Sequence, residues 1–356
     1  MTAARTARAA SAALAVSAAL LLAACSAGSP GPGPGIDVDR ALGHTAALVA
    51  LGPRPGDSPA AARAADHIAR SLEELGLTVA RAPVGTVDLP GIRALGRTFR
   101  KPRTAVTRDP NLVVRIGGPG PALLVLAHYD TVGKSPGAID NAVAAGVLIE
   151  LARALRDAPP PAPVVLAFPA NEEIGLVGSE ALAASLAAGP AGPAGDVAFA
   201  IALDLVGGSG PLSLNGAGTQ IRQRELRWLA AAAGRAGTTL RAPLPHRVIS
   251  RWWPQLERSD HGPFTRRGIR AVHLYHRGQD GEHIDLAYHS ARDTLARVDR
   301  GAVDELGRVL RALAASPPPA PDGGGPDGFW VPVARNTVVP RAALLALALV
   351  LAGTAL

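Results

Sequence analysis

Between residues 37 and 315, short unbroken apolar runs alternate with stretches whose apolar residues recur every three or four positions. The runs "NLVVRI", "ALLVLAH", "PVVLAF", "VAFAIALD" and "IRAVHLY" have the length and branched-residue content of buried strands. The stretches "SPAAARAADHIARSLEELG", "NAVAAGVLIELARALRD", "GSEALAASLAA", "TQIRQRELRWLAAAAGRAG" and "DELGRVLRALAA" have helical spacing. Ser58 is placed to cap the first of these and Gly76 to stop it. Strands alternating with helices predict an α/β fold whose largely parallel sheet is covered on both faces.

The chain ends do not share this pattern. Arg5 and Arg8 precede an apolar run over residues 9–24, as in an export signal. Leu22-Ala23-Ala24-Cys25 resembles a lipoprotein processing site, and Cys25 is the sole cysteine. Residues 1–25 therefore read as a lipoprotein-type signal with Cys25 lipidated, or as an ordinary signal with a chance cysteine. Residues 26–36 read as a flexible tether. At the other end, 316–328 is a Pro/Gly linker. Residues 329–356 follow as a short membrane-associated or transmembrane segment, or else as a buried terminal helix; the uncharged run 342–356 falls short of the roughly 20 residues a span needs. The expected location is extracytoplasmic, anchored to a bacterial membrane or envelope.

Composition changes this picture little. With 48% hydrophobic and 18% charged residues among 356, the chain can bury a large core, and aromatics at 3% leave Ala, Leu and Val to fill it. The net charge of +7 comes from arginines scattered among Ala, Gly and Pro, so nucleic acid is not an expected partner.

Candidate chemistry gathers where the strands end, which is where open α/β sheets bind ligands. His128, Tyr129 and Asp130 follow one strand, Glu172 and Glu173 another, and Asp204 a third. Asp140 stands near a helix start, where an N-cap role is the alternative. A His-rich loop beyond the last strand ends at His289, with His283 as the alternative ligand. His273 and His276 are expected to line the strand or face solvent. His128, Asp140, Glu173, Asp204 and His289 are five ligand types, more than one zinc needs. They suit two ions about 3.5–4 Å apart bridged by one carboxylate. Glu173 as a ligand leaves Glu172 free as a base. Neighbours in an extended chain point to opposite sides, so the two could serve different partners.

"AHYDTV", "GAIDNAVAAGVLIELARAL", "ANEEIGLVGS", "ALDLVGG", "SDHGPF" and "YHSARDTL" resemble, in order, the motifs of the M28 family of zinc aminopeptidases over roughly residues 120–300. The resemblance implies a three-layer αβα sandwich with a mixed, mostly parallel sheet over 37–315. It also implies two Zn²⁺ per chain: His128 and Asp204 on one, Glu173 and His289 on the other, Asp140 bridging. Glu172 would be the general base, with Asp130 orienting His128. Ile139 stands where the family often has a second acidic residue. Peptides are the implied substrates. Trp252 and Trp253, paired in a Pro-bounded loop, read as a substrate wall or as core filling; Asp260 is a candidate substrate contact or a partner of loop backbone, and Tyr288 a further candidate contact. The rivals are a glutaminyl cyclase using a single zinc on Asp140, Glu173 and His289, and a non-catalytic binding ectodomain. Tyr288, where the cyclases carry tryptophan, speaks against the first.

Overall fold

The computed structural model describes residues 35–94, 97–189, 192–216, 221–242, 257–276, 278, 287–320, 330–334 and 337–340. Cys25, Trp252, Trp253, His283 and residues 342–356 lie outside them.

Two helices open the fold, α1 (Val38–Ala50) and α2 (Pro59–Glu73). Asp37 caps the first by accepting from Arg40 N, and Ser58 caps the second by accepting from Ala61 N at 3.1 Å. Beyond α2, Gly76 takes a φ of +76°, where a side chain would be strained. Strand β1 (Val79–Ala82) leads into two hairpin pairs, in which β2 (Gly85–Leu89) pairs with β5 (Arg103–Thr107) and β3 (Ile92–Ala94) with β4 (Arg97–Arg100). The sequence reading had left this excursion unassigned.

The core follows as β6 (Asn111–Ile116), β7 (Ala122–Leu126), α3 (Val143–Asp157), β8 (Val164–Phe168), α4 (Val177–Ala188), β9 (Val197–Leu203), β10 (Leu212–Asn215), α5 (Gln223–Arg235), a short α6 (Gly262–Arg266), β11 (Ala271–His276) and α7 (Arg300–Ala314). A hairpin, β12 (Trp330–Ala334) and β13 (Thr337–Pro340), ends the described chain. Among the described residues no helix is long and apolar enough to cross a membrane.

Seven strands form one sheet in the order β1-β6-β8-β7-β9-β11-β10. The four central strands run parallel and the outer pairings are antiparallel. Each central strand is buried on both faces, which is why it reads as a continuous apolar run. Successive residues feed opposite layers. Leu123 and Val125 join a cluster with α1, α2, α3, α5 and α7, whereas Leu124 and Leu126 pack with Leu182 and Ala183 of α4 and Phe264 of α6. The result is the three-layer αβα sandwich with a mixed central sheet.

Candidate metal centre

The four parallel strands end on the same side, and the chemistry-bearing residues follow them. His128 lies two residues past β7, Glu172 and Glu173 follow β8, and Asp204 is the residue after β9. Asp140 reaches the same place on the loop before α3. It is not the N-cap of α3: that position is Ala142, and α3 has no side-chain cap bond. Asp293 holds that loop, accepting from Ile139 N at 2.8 Å and Asp140 N at 3.1 Å. Asn141 Nδ2 donates to Leu203 O at 2.7 Å, tying the loop to the end of β9.

The ligand types converge as two trios that share one residue. His128, Asp140 and Asp204 form the first; Asp140, Glu173 and His289 form the second. His128 Nε2 lies 3.3 Å from Asp140 Oδ1 and 3.6 Å from Asp204 Oδ1. His289 Nε2 lies 3.4 Å from Asp140 Oδ2 and 2.9 Å from Glu173 Oε2. Each oxygen of Asp140 thus faces a different histidine.

The two glutamates sit in a turn and not in the extended chain that the sequence suggests. Asn171 has a φ of +57°, and the amides of Gly175 and Leu176 both donate to Glu172 O at 2.8 Å. Asp130 fixes the turn: Oδ1 accepts from Glu172 N at 3.0 Å and Oδ2 from Glu173 N at 3.1 Å. Its carboxylate stands 3.6 Å from His128 Nδ1, too far for a hydrogen bond, so the ring is oriented instead by the Asp130 carbonyl at 3.2 Å. Asp130 therefore clasps the glutamate pair with its side chain and the histidine with its backbone.

Burial sets the electrostatics. It pushes Glu172 well above the ordinary carboxylate range; Asp204, Asp260 and Glu173 add to this while His128 opposes it. Burial and then Asp140 push Glu173 up to about 8. Burial works against the charged form of Asp204, yet the His128 contact holds its carboxyl below the usual range. Burial likewise disfavours protonated His128, but the carboxylates of Asp130, Asp140 and Asp204 raise it well above an ordinary histidine.

So many buried carboxylates are costly without cations. Two buried atoms aimed into the cluster, His128 Nε2 and Glu173 Oε1, have no hydrogen-bond partner among the described residues. Imidazole nitrogen and carboxylate oxygen are the donors zinc accepts. The donor set and these orphaned atoms fit a metal centre.

A cavity of about 490 Å³ opens over the trios, with Glu172, Glu173 and Asp204 on its floor. Ile174 and Tyr288, 42% and 37% exposed, offer apolar surface at its mouth. The Tyr288 ring stacks on His289 with centroids 3.6 Å apart. Asp260 is not on this wall: it is buried behind it and accepts from Ser179 Oγ. His273 and His276 are buried too, and His273 Nε2 meets Asp204 O at 3.0 Å.

Two supporting residues escaped the sequence reading. Asp293 had been noted only as part of a motif. Buried Arg54 donates to the carbonyls of Leu48, Gly52, Tyr129, Pro136 and Gly137, joining the start of the fold to the loops of His128 and Asp140. An arginine in "LGPRPGD" carries no local signal for such a role, since most of its partners are distant backbone groups.

Histidines and carboxylates paired around a shared aspartate, at the carboxyl ends of parallel strands in an αβα sandwich, define a metallohydrolase type of centre. Residues 111–314 match the sequence profile of peptidase family M28, and the chain belongs to that family. Aminopeptidase YwaD of Bacillus subtilis is 28% identical over 189 residues, which cover 53% of this chain and 39% of YwaD. Among solved structures, a zinc aminopeptidase from B. subtilis superposes with a TM-score of 0.61 at 17% identity, covering 78% of this chain and 94% of that one. A glutaminyl cyclase from Bacteroides thetaiotaomicron superposes with 0.62 at 18%, covering 80% and 99%. A Zn-dependent exopeptidase from Parabacteroides distasonis gives 0.61 at 18%, again covering 80% and 99%. These superpositions show a shared fold.

Proposed function

We propose that the chain is a co-catalytic zinc aminopeptidase that removes N-terminal residues from peptides with two Zn²⁺ per molecule. The observation that carries this reading is the placement of Asp140, one carboxylate oxygen facing His128 and the other His289. A single-zinc enzyme built on Asp140, Glu173 and His289 would leave His128 and Asp204 as a buried ligand pair with nothing to hold.

A zinc pair, when bound, lowers the pKa of water and polarises the scissile carbonyl. The chain's own residues do the rest. His128, Asp140 and Asp204 would hold one ion, and Glu173, His289 and the same Asp140 the other. Glu172 accepts the proton released as a water oxygen bonds to the peptide carbon, and returns it to the amine nitrogen as the C–N bond breaks. The Asp130 carboxylate accepts from both glutamate amides and holds the pair in register.

The test is a count of metal in the purified protein beside activity on a panel of aminoacyl reporter peptides. Two zincs with release of the N-terminal residue is the expected result. One zinc with ammonia release from glutaminyl peptides would replace this reading with the cyclase. No metal would replace it with a binding ectodomain.

The lipobox with its lone Cys25 supports a lipid anchor on an exported chain, and the uncharged run 342–356 supports a second membrane contact. Mass spectrometry of the mature N-terminus should find a lipidated Cys25. Any other N-terminal residue overturns the anchor.

A further inference from the structure

The mouth of the cavity carries a charge opposite to that of its floor. Arg100, Arg103, Arg258 and Arg266 line it, above the carboxylates of the two trios. Two of these guanidinium groups converge on one point. Arg100 Nη1 reaches Gly175 O at 3.4 Å, and Arg103 Nη2 donates to the neighbouring Ile174 O. A Cβ added at Gly175 would sit 3.0 Å from both Arg100 Nη1 and Leu89 Cδ1 and 3.3 Å from Arg103 Nη2, so a side chain there would crowd both guanidinium groups. Like-charged groups crowded together disfavour each other's charge, and burial together with nearby Arg266 and Arg103 lowers the pKa of Arg100.

Carbonyls take only part of what these groups offer. A guanidinium has five N–H donors in a planar fork. Arg100 uses Nε and Nη2 on the single Pro90 O, and among the described residues the Arg103 side chain bonds only to Ile174 O. Arg258 is exposed at the lip, and no hydrogen bond or ion pair of its side chain is found among the described residues. Arg266 does meet Glu180, but Glu180 also pairs with Arg267, so one carboxylate serves two cations. None of Arg100, Arg103 and Arg258 has a carboxylate within ion-pair reach among the described residues. The sequence around the first two is one-sided as well: Arg93, Arg97, Arg100, Lys101, Arg103 and Arg108 fall in a stretch, 89–108, that holds no acidic residue.

We propose that this arginine wall is an anion subsite that selects peptides carrying a carboxylate close to the scissile bond. The inference rests on the peptidase reading and adds to it a substrate class. Guanidinium forks match a carboxylate geometrically and pair with it by charge-assisted hydrogen bonds. The wall begins at Ile174 and Gly175, directly after the glutamate pair, so a bound anion lies within a residue or two of the bond being cut. Two sources share this chemistry, an acidic side chain and the terminal carboxylate of a short peptide.

The experiment uses the zinc-loaded full chain and a set of short alanine peptides. Glu or Gln is placed at the first, second or third position, each peptide being made as free acid and as terminal amide. At one position kcat/KM for Glu should exceed that for Gln by about 10-fold or more, the range expected for hydrogen bonds to a charged partner. An acid-over-amide preference without a Glu-over-Gln preference assigns the wall to the peptide terminus. Either preference should shrink at high salt and narrow toward one in Arg103→Gln. Arg258→Gln, at an exposed position whose side chain has no bond among the described residues, should narrow it too, which guards against a folding defect in the first variant. The same ratios are read by calorimetric binding to Glu172→Gln protein, so that the wall is tested without turnover. Charge-dependent binding with hydrolysis of no peptide would overturn the peptidase reading and leave the wall standing. Ratios near one in both assays, or ratios unmoved in both arginine variants, would overturn the wall.

Discussion

Adjacent glutamates with opposite fates are the sharpest test at the scale of single residues. Glu172→Gln keeps size and shape and removes the proton-shuttling charge. Turnover should fall by roughly 10²–10⁴-fold while both zincs and most substrate affinity stay. Glu173→Gln removes a ligand, so metal content should fall along with activity. Atomic absorption beside steady-state kinetics separates the two, and metal loss in the Glu172 variant alone would mean that the assignments are exchanged. The residue types at the centre were legible because they sit where strand runs stop. What divides the labour between the glutamates was not. It lies in the turn begun at Asn171 and in the clasp of Asp130, a contact across more than 40 residues that no local pattern records.

Elements were legible where burial was two-sided and hidden where it was slight. β6, β7, β8 and β9 fall where their apolar runs stand. α1 did not announce itself: only Ala41, Thr45 and Leu48 are buried along its 13 residues, and two of these are small or polar. Its contact with α3 depends instead on the absence of a side chain. A Cβ at Gly146 would come within 2.4 Å of Ala41 O and 2.6 Å of Thr45 Oγ1, so the two helices touch through glycine. Gly146→Ala should therefore destabilise the protein by about 1–3 kcal/mol through overpacking, despite a helix-propensity gain of up to about 1 kcal/mol. Gly43 on α1 has nothing within 4 Å of its would-be Cβ, and Gly43→Ala should stabilise by about 0.5–1 kcal/mol. Thermal or denaturant melts of the pair check both. Shifts of the same sign would mean that the close approach does not govern the helix contact.

For the molecule as a whole, the buried carboxylates make stability depend on pH in opposite directions with and without metal. In metal-stripped protein, Glu172 and Glu173 bind protons more tightly folded than unfolded, Glu173 up to about 8. Raised His128 and His289 act in the same sense. Protons thus favour the folded state, and the melting temperature should rise as pH falls from about 8 toward the ordinary carboxylate range near 4–4.5. Burial holds His273 down to about 4, so it opposes this trend below about 6.5, as do the lowered His44 and His67, while the depressed Asp204 opposes it only below its ordinary value. With zinc bound, the ligands must be deprotonated, so stability should instead increase with pH. Melts from pH 5 to 8 in chelator and in zinc would show the crossing trends, and a chelated melting temperature that climbs with pH would contradict them. The sandwich and its layers were evident from alternation along the chain, whereas the clasps that complete the centre were not, because they join distant segments. Asp293 meets Ile139 across 154 residues. A ribosome adding about 5–20 residues per second needs roughly 8–30 s to traverse that interval. Throughout it, the nascent polypeptide carries Asp140 on a loop that still lacks its Asp293 clasp, and the centre's geometry is among the last things synthesis completes.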